Sequence, residues 1–448
     1  MVNGSRGPSR RTFVAASVVT VAGAGGVLGY QAWPRTTYPR RVPLYSATVA
    51  MGPSPEGEPE PGTDRTLIRP DQLSLLVPQS RVVQAAPNVE LLLARERAML
   101  AAAPEWTQAP RFADAARSAL LDLHVLADGL PSPVAAWTPY WRFSWPRDCA
   151  FVAVAQALTG QYDAALKVLR FLQTAQAADG WFEARYVPGT NRSPDSRPRQ
   201  LDGCGWALWA ADRVFAALPD ARRRELAGLA HLVVRSADRI ITSVSTPSGL
   251  PPATPDYWEV SERSPTLATC AMLSAGLESA VRLLDALGET GRAERAATAL
   301  VRLDRTIKQA FGRYGFPRHP GRGDPDIGSA FLLPPFRDAV NEPALQRLVG
   351  ILPRLRRPAG GLAPGVTWHQ DGISWTPETA TVAAVFARTG QVARAAEMVQ
   401  WLADHRTTGG SYPEKVLETG DPAAVAPLAW TAAATLLAIE KLPPDIKG

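Results

Sequence analysis

Apolar residues recur at three- and four-residue steps through most of the chain from residue 110 onward, and this periodicity constrains the fold more than any other feature. It is the pattern of amphipathic helices that each bury one face. Gly or Pro residues separate the runs, as expected at helix ends. The predicted helices cover residues 111–127, 148–159, 161–178, 203–217, 221–241, 264–287, 290–311, 342–355, 377–389, 391–405 and 424–440.

Several of the predicted helices form pairs joined by a short turn that contains glycine. The turns include Gly160, Gly288 and Gly390, and an Ala-rich helix follows each of them. Such a repeat indicates an architecture of helical hairpins. Runs with few charges, such as 264–278, are predicted to lie inside, and Arg-rich runs, such as 290–311, to lie outside. Because the two types alternate, the sequence favours an all-α closed double ring, although an open solenoid of hairpins has a similar periodicity.

The first 34 residues have the composition of an export signal. Ser9-Arg10-Arg11-Thr12-Phe13 precedes 21 uncharged residues, which is the arrangement of a twin-arginine signal. Ala22-Gly23-Ala24 offers a small-residue cleavage site. If it is not cut, the segment 12–34 is long enough to anchor the chain in a membrane. We therefore predict export to the cell envelope or the extracellular space.

Residues 35–105 are predicted to connect this signal to a folded domain that covers residues 106–442. The stretch 52–62 is rich in Pro, Gly and Glu, which is typical of an extended or disordered linker. Residues 88–103 have a helical pattern, with Asn88 as the expected cap. No hydrophobic alternation here is long enough for a β-domain.

The net charge of +6 does not indicate a nucleic-acid partner, because the excess lies in the first 50 residues. These contain six arginines and no Asp or Glu, and the other 42 basic residues balance 42 acidic ones. Neither the three cysteines nor the five histidines have metal-binding spacing, so no metal site is predicted. Cys149, Cys204 and Cys270 are interpreted as buried packing residues, with a Cys149–Cys204 disulfide as the alternative. No protein partner can be inferred.

The segment Pro139–Asp148 has the composition of a sugar-binding surface. Its aromatic rings can stack on the C–H face of a pyranose, while Arg147 and Asp148 can donate to and accept from hydroxyl groups. Pro146 suits the first turn of a helix, where its missing N–H costs nothing. The alternative interpretation is a helix start with an ordinary charge pair.

Long aromatic loops connect the outer-type helices to the inner-type helices, and long structured loops are usually functional. In a double ring these loops would all open on one face and converge there. Glu259 lies beside Tyr257 and Trp258, whose rings are expected to desolvate the carboxyl group and raise its pKa, as suits a general acid. Glu414 lies in a Gly- and Ser-rich loop that is expected to be wetter, as suits a general base. Two such carboxylates suggest glycoside hydrolysis, although most loop glutamates are simply solvated.

Four segments, in order, resemble the glucoamylase-type inverting glycosidases, glycoside hydrolase family 15. They are Trp145-Pro-Arg-Asp148, Gln200-Leu-Asp202, Asp256-Tyr-Trp-Glu259 and Tyr412-Pro-Glu414, the last followed by Pro427-Leu-Ala-Trp430. The resemblance covers roughly residues 110–440 and implies an (α/α)6 barrel.

The resemblance also implies a role for each matching residue. Glu259 would be the general acid and Glu414 the general base of an exo-acting enzyme that removes the terminal glucose of an α-glucoside. The implied substrate is a maltodextrin, an isomaltodextrin or trehalose, and no cofactor or metal is implied. The expected substrate-binding residues are Trp141, Trp145, Arg147, Asp148, Asp202 and Trp258.

The chain departs from the family pattern after the expected acid. Many relatives carry a second acidic residue there, whereas this chain has Val260, with Glu262 two places further on. Two other classes of function stay open on sequence grounds. One is a non-catalytic glycan-binding protein, and the other is a phosphorylase or lyase on the same barrel. A phosphorylase would need an anion pocket, for which His405, Arg406 and Lys415 are candidates.

Overall fold

The computed structural model describes residues 42–53 and 64–444, and helices dominate these residues. The α-helices are α1 Val89–Ala101, α2 Ala113–Ala127, α3 Pro146–Leu158, α4 Tyr162–Ala175, α5 Asp202–Ala217, α6 Ala230–Val244, α7 Leu267–Ala286, α8 Thr290–Ala310, α9 Glu342–Leu355, α10 Thr376–Arg388, α11 Val392–Asp404 and α12 Ala429–Ile439. The 3₁₀ helices are Pro70–Leu75, Glu105–Gln108, Asp220–Leu229, Gly312–Tyr314 and Ile327–Leu332.

Short strands complete the described chain. They are β1 Thr48–Met51, β2 Arg65–Ile68, β3 Ser374–Trp375, β4 Lys415–Val416 and β5 Pro422–Ala423. Strands β1 and β2 pair antiparallel, with Thr48 opposite Ile68. Strands β3, β4 and β5 form a second small antiparallel sheet in that order.

The inner layer of the molecule is a closed ring of six positions. Helix α3 packs against α5, α5 against α7, α10 against α12, and α12 against α3. The 3₁₀ helix Ile327–Leu332 lies between α7 and α10 and closes the ring. The outer layer is formed by α2, α4, α6, α8, α9 and α11, each packed on an inner neighbour. The chain is therefore an (α/α)6 barrel, and the closed ring decides against the open solenoid.

The inner helices are buried almost all round because their sequences are apolar all round. Helix α7 is long and apolar enough to cross a membrane, but most of it is buried inside the barrel. Its contact with α5 is close because both helices carry glycine there. A Cβ atom on Gly205 would lie 2.2 Å from the carbonyl oxygen of Met272, and one on Gly276 would lie 2.7 Å from the Cα of Gly205. Neither position leaves space for a side chain.

Each of the predicted helical runs contains a helix of the structure, and the ends differ by a few residues. The run 221–241 divides into the 3₁₀ helix Asp220–Leu229 and α6. The sixth inner position was not predicted, since six residues are too few to show helical periodicity. All six residues of Ile327–Leu332 are buried, which explains how so short a segment can replace a whole inner helix.

The segment predicted as a linker is partly built into the barrel. Ala47, Val49, Ala50 and Met51 are fully buried, and β1 packs against α2. The hydroxyl groups of Thr48 and Ser411 are hydrogen-bonded at 2.7 Å. The predicted helix 88–103 is confirmed as α1, although the side chain of its expected cap makes no capping hydrogen bond. The signal segment 1–34 and most of the stretch 52–62 lie outside the described residues, and the domain boundaries stay predictions.

The three cysteines are unpaired and buried, which confirms their interpretation as packing residues. The alternative Cys149–Cys204 disulfide is not formed.

Short turns and long loops are segregated to opposite ends of the barrel. The turns from α3 to α4, α7 to α8 and α10 to α11 are short, and Gly160, Gly288 and Gly390 in them have the positive φ expected of such turns. The connections from outer to inner helices are long. Because every inner helix starts from a long connection, these loops gather at the N-terminal ends of the inner ring, which we call the loop end.

Candidate active site

Charged side chains stand at the start of four inner positions and in the loops that lead to the other two. The N-terminal end of a helix favours carboxylates, because its free N–H groups and dipole attract negative charge. Around the ring these residues are Arg147 and Asp148 in α3, Asp202 in α5, Glu259 before α7, Asp326 before the 3₁₀ helix, Glu378 in α10 and Glu414 before α12.

The segment Pro139–Asp148 touches both of the predicted catalytic carboxylates. The indole Nε1 of Trp141 donates to Glu414 Oε1 at 3.2 Å. Arg147 Nη1 donates to Glu259 Oε1 at 3.5 Å. Glu259 and Glu414, although far apart in sequence, therefore both contact this one short segment at the loop end.

Glu259 has a strained backbone conformation, and two arginines bind its carboxylate. Its φ is +56°, in the left-handed region that non-glycine residues rarely adopt and that is common at functional sites. A turn enforces it, because the N–H of Glu259 donates to the carbonyl of Asp256 at 2.8 Å. Besides Arg147, the carboxylate accepts from Arg197 Nη1 at 3.1 Å. The closest charged partners of Glu259 are therefore two arginines, whereas the sequence pointed to its aromatic neighbours.

Glu414 lies in a less exposed setting than predicted. Its side chain is 13% exposed, against 23% for Glu259, so the expectation of a wetter loop is wrong. The cause is the sheet of β3, β4 and β5, which the sequence pattern did not reveal, together with the cover of Trp141. The carboxylate Oε2 makes no hydrogen bond, and it lies 3.4 Å from Lys415 Nζ.

Arg147 and Asp148 form a buried ion pair next to Glu259. Arg147 Nη2 donates to Asp148 Oδ2 at 2.9 Å, and the guanidinium lies 4.2 Å from the ring centroid of Trp430. Burial raises the pKa of Asp148, while the charge of Arg147 opposes that shift. The Nε atom of Arg147 is buried without a hydrogen-bond partner, so this group retains unused donor capacity at the site.

Asp202 is the first residue of α5, and it is almost fully buried. Its Oδ2 accepts from Trp206 Nε1 at 3.2 Å, and its Oδ1 has no partner. Burial, reinforced by the charge of Asp256, raises the pKa of Asp202 to about 7. Arg147 acts in the opposite direction. One oxygen of Asp202 is thus left to accept a hydrogen bond from a ligand hydroxyl group.

Two of the expected substrate-binding tryptophans, Trp145 and Trp258, each pack against an arginine. Trp145 is buried, with the guanidinium of Arg185 5.1 Å from its ring centroid. One face of Trp258 is covered by Arg318 at 3.8 Å, and its ring meets the edge of Trp368 at 4.8 Å. The indole Nε1 atoms of Trp145, Trp258 and Trp368 are buried without partners.

Arg318 is a buried residue of the loop end that sequence analysis missed. It donates to Asp256 at 2.8 Å, to Glu262 at 2.7 Å and to Asp326 at 2.5 Å, and it lies beneath Trp258. No spacing in the sequence indicated it, because Asp256 and Glu262 lie in a separate loop, 62 and 56 positions before Arg318. Glu262, two places after Val260, belongs to this network and so links the loop of Glu259 to Arg318.

Glu378 was also missed, although the sequence contained a signal for it. Trp375-Thr-Pro-Glu378 repeats the order of Trp145-Pro-Arg-Asp148, a tryptophan, a proline and then a carboxylate in the first turn of an inner helix. Glu378 is buried, and its Oε2 has no hydrogen-bond partner. Burial raises the pKa of Glu378 to about 8; the charge of Glu414 adds to that shift and Arg147 opposes it.

Within residues 42–53 and 64–444, no three His, Cys, Asp or Glu side chains are placed to hold a metal ion. The chemistry available at the loop end is that of paired carboxylates, arginines and indoles.

No family model and no curated protein matches the chain. Solved structures do. A glycosidase variant in complex with glucose aligns with a TM-score of 0.63 and 18% identity, over 75% of this chain and 99% of its own. A bacterial glucoamylase complexed with acarbose aligns with a TM-score of 0.61 and 18% identity, over 80% of this chain. The barrel has the fold of glycosidases and glucoamylases.

The alignments with two glucoamylases cover different shares of those proteins. A glucoamylase from Saccharomycopsis fibuligera aligns with a TM-score of 0.55 and 14% identity, over 76% of this chain and 96% of its own. The alignment with the bacterial glucoamylase spans only 60% of that longer chain.

Proposed function

We propose that this protein is an exo-acting, inverting glycoside hydrolase that releases glucose from the non-reducing end of an α-glucoside. The observation that carries the proposal is the contact of Pro139–Asp148 with both Glu259 and Glu414. One short segment joins two carboxylates from distant loops at one end of a barrel. The barrel resembles a glycosidase solved with glucose and a glucoamylase solved with acarbose, which supports a saccharide as the ligand.

In the proposed reaction, Glu259 donates a proton to the glycosidic oxygen as the bond to the anomeric carbon breaks. Glu414 accepts a proton from a water molecule that attacks the same carbon from the opposite face. The attack replaces the leaving group on the other face, so the product forms with inverted configuration. The reaction is a single displacement and needs no covalent intermediate.

Arg147, Asp148 and Asp202 are proposed to bind the hydroxyl groups of the terminal glucose. Each of them has polar atoms at the loop end, and Arg147 Nε and Asp202 Oδ1 have no hydrogen-bond partner within the described chain. Leaving such buried atoms unpaired costs free energy, and a sugar hydroxyl can satisfy both donors and acceptors. Trp141, Trp145 and Trp258 are proposed to border this pocket. A short maltodextrin, an isomaltodextrin or trehalose is the proposed substrate.

Two of the three candidate residues for the anion pocket of a phosphorylase are engaged elsewhere. Arg406 donates to Asp114 and Ser118, and His405 stacks on Trp401 with ring centroids 4.4 Å apart. Only Lys415 contacts Glu414. These residues therefore do not assemble into an anion pocket beside the proposed base, and water is favoured over phosphate as the nucleophile.

We also propose that the protein is exported by the twin-arginine route. The support is the sequence Ser9-Arg10-Arg11-Thr12-Phe13 and the uncharged stretch that follows it. Fusion of residues 1–45 to a reporter that is active only after twin-arginine export would test this proposal. Replacement of Arg10 and Arg11 by lysine should abolish reporter export.

The proposed roles are tested with two substrates whose leaving groups differ. Maltotriose needs protonation of its leaving oxygen, whereas fluoride leaves α-glucosyl fluoride with little help from an acid. We expect Glu414→Gln to lose at least about 10³-fold in kcat on both substrates, because the base is needed for either. Glu259→Gln should lose as much on maltotriose and far less on the fluoride. Glucose binding without any turnover by the wild type would instead favour a non-catalytic glycan-binding protein.

A further inference from the structure

Glu378 is placed beside the proposed base by the small sheet at the loop end. Strand β3 pairs with β4, with Trp375 opposite Lys415, and it leads directly into α10. The backbone N–H of Thr376 donates to the carbonyl of Glu414 at 3.2 Å. The Glu378 side chain belongs to the first turn of α10, two residues beyond this hydrogen bond. The backbone that carries Glu414 and the helix start that carries Glu378 are thus attached to each other.

The two carboxyl groups share an unusual property. Oε2 of Glu378 and Oε2 of Glu414 are both buried, and neither makes a hydrogen bond, although Lys415 Nζ lies 3.4 Å from that oxygen of Glu414. Buried oxygens are normally hydrogen-bonded, and exceptions call for a missing partner or a functional role. Glu378 is also only 2% exposed, so bulk water does not satisfy it.

We propose that Glu378 is a positioning residue that holds the attacking water molecule against Glu414. This inference rests on the function proposed above. The water has two hydrogens. Glu414 accepts one as the base, and the carbonyl oxygen of Glu378 accepts the other. With both hydrogens held, the oxygen lone pair is directed away from the two carboxyl groups, toward the anomeric carbon.

Glu378 exchanges no proton in this step. The water oxygen forms the new bond to the anomeric carbon, and its released proton goes to Glu414. The bond from carbon to the leaving oxygen breaks, and that oxygen keeps the electron pair and receives the proton of Glu259. Glu378 suits the task as a neutral acid, because two ionised carboxylates at one water would repel each other. Its pKa of about 8 is raised by burial and by the charge of Glu414, and the charges of Arg147 and Lys415 oppose that rise. This pKa keeps Glu378 neutral at pH 5–7.

The test uses α-glucosyl fluoride, which reports on water attack with little dependence on Glu259. Glu378→Ala should lower kcat about 10- to 100-fold, the effect of removing one hydrogen bond to a reacting polar group in a buried site. KM should change less than about 3-fold, since Glu378 is not proposed to bind the sugar. Glu378→Gln should recover most of the lost kcat, because its amide oxygen can also accept from water.

The pH profile supplies a readout that does not depend on the alanine variant folding. Wild-type kcat on the fluoride should decline near pH 8, as Glu378 ionises and repels Glu414. Glu378→Gln cannot ionise, so it should keep its kcat there. Glu397→Gln is the matched control, since Glu397 is exposed on the outer helix α11, and it should follow the wild-type profile.

The outcomes separate this inference from the function on which it rests. If the wild type hydrolyses the fluoride and Glu414→Gln does not, the proposed function stands. The role of Glu378 is then overturned by an unchanged kcat in Glu378→Ala, or by a wild-type decline near pH 8 that persists in Glu378→Gln. A wild type that hydrolyses neither maltotriose nor the fluoride would overturn both.

Discussion

Trp141 donates its indole N–H to Oε1 of Glu414 at 3.2 Å, so an aromatic residue of the α2–α3 loop orients the proposed base. The indole ring also packs against Tyr45, with ring centroids 6.1 Å apart. Residues from the start of the described chain, from the first long loop and from the last long loop therefore meet at the base. The orientation of Glu414 depends on all three.

Replacement of Trp141 by phenylalanine tests this dependence. The substitution keeps an aromatic ring against Tyr45 and removes the N–H donor. A hydrogen bond to a charged group contributes about 1.5–3 kcal/mol. If this bond orients the base in the transition state, kcat on maltotriose should fall about 10- to 100-fold.

Trp401 provides a matched control for that experiment. Its indole N–H also donates within the protein, to the carbonyl of Ala359, but it lies on the outer helix α11. Trp401→Phe should leave kcat within about 2-fold of wild type, since an outer-layer hydrogen bond has no contact with the reacting groups. Equal losses of kcat in the two variants would argue that Trp141 acts through stability alone.

Arg318 is expected to be among the most stabilising single residues at the loop end. Its side chain is 5% exposed and holds Asp256, Glu262 and Asp326 together. Arg318→Met would leave these carboxylates buried without their cation. Removing one partner of a buried charge network costs about 3–5 kcal/mol, so the midpoint of urea unfolding should fall markedly.

The exposed pair of Arg354 and Asp324 is the control for that stability measurement. Its two side chains are 52% and 42% exposed, and the contact is 2.6 Å long. Arg354→Met should cost no more than about 1 kcal/mol, because solvent screens an exposed ion pair. A similarly small loss in the free energy of unfolding of Arg318→Met would show that the Arg318 network does not hold the loop that carries Glu259.

Asp202 should make the free energy of unfolding depend on pH. Its pKa is about 7 in the folded protein, raised by burial, against about 3.9 for an unfolded aspartate. Between these values the folded state binds the proton more tightly, so the contribution of Asp202 to stability is present at low pH and is lost as pH rises toward 7. Asp202→Asn lacks this loss and retains an acceptor for Trp206. Its stability relative to wild type should rise by up to about 1.4 kcal/mol per pH unit between about pH 4 and 7.

Chemical denaturation of both proteins at several pH values would measure that difference. Above pH 7 the gain of Asp202→Asn should level off, because the wild-type carboxyl group is then ionised in both the folded and the unfolded state. A stability difference that stays constant from pH 4 to 8 would contradict the raised pKa of Asp202.

The helices and their arrangement could be predicted from the sequence because they depend on long, local patterns. The runs around α7 and α8 carry enough apolar residues to define an inner and an outer helix. The inner segment Ile327–Leu332 could not be predicted in this way. Its burial depends on the other five inner positions, which leave one gap in the ring. This short apolar segment fills that gap.

The candidate site could be predicted only where its residues lie in recognisable segments. Arg147, Asp148, Glu259 and Glu414 all belong to such segments, and the structure gathers them at one end. Arg318 could not be found, because two of its three carboxylate partners lie in another loop, far away in sequence. The exposure of Glu414 was also misjudged, since β4 and β5 are two-residue strands that leave no alternating pattern.

The most direct test of the account is the configuration of the sugar at the moment of its release. Maltotriose, an isomaltodextrin and trehalose should be offered to the wild-type protein, and the anomeric signals of the first glucose released should be followed by proton NMR before mutarotation. Because water attacks opposite the leaving group, the account predicts β-glucose as the initial product from maltotriose or an isomaltodextrin. From trehalose it predicts equal initial amounts of β- and α-glucose, since the leaving glucose keeps its own α-configuration. Initial α-glucose from maltotriose or an isomaltodextrin, or α-glucose alone from trehalose, would contradict the assignment of Glu259 and Glu414 as an inverting acid and base.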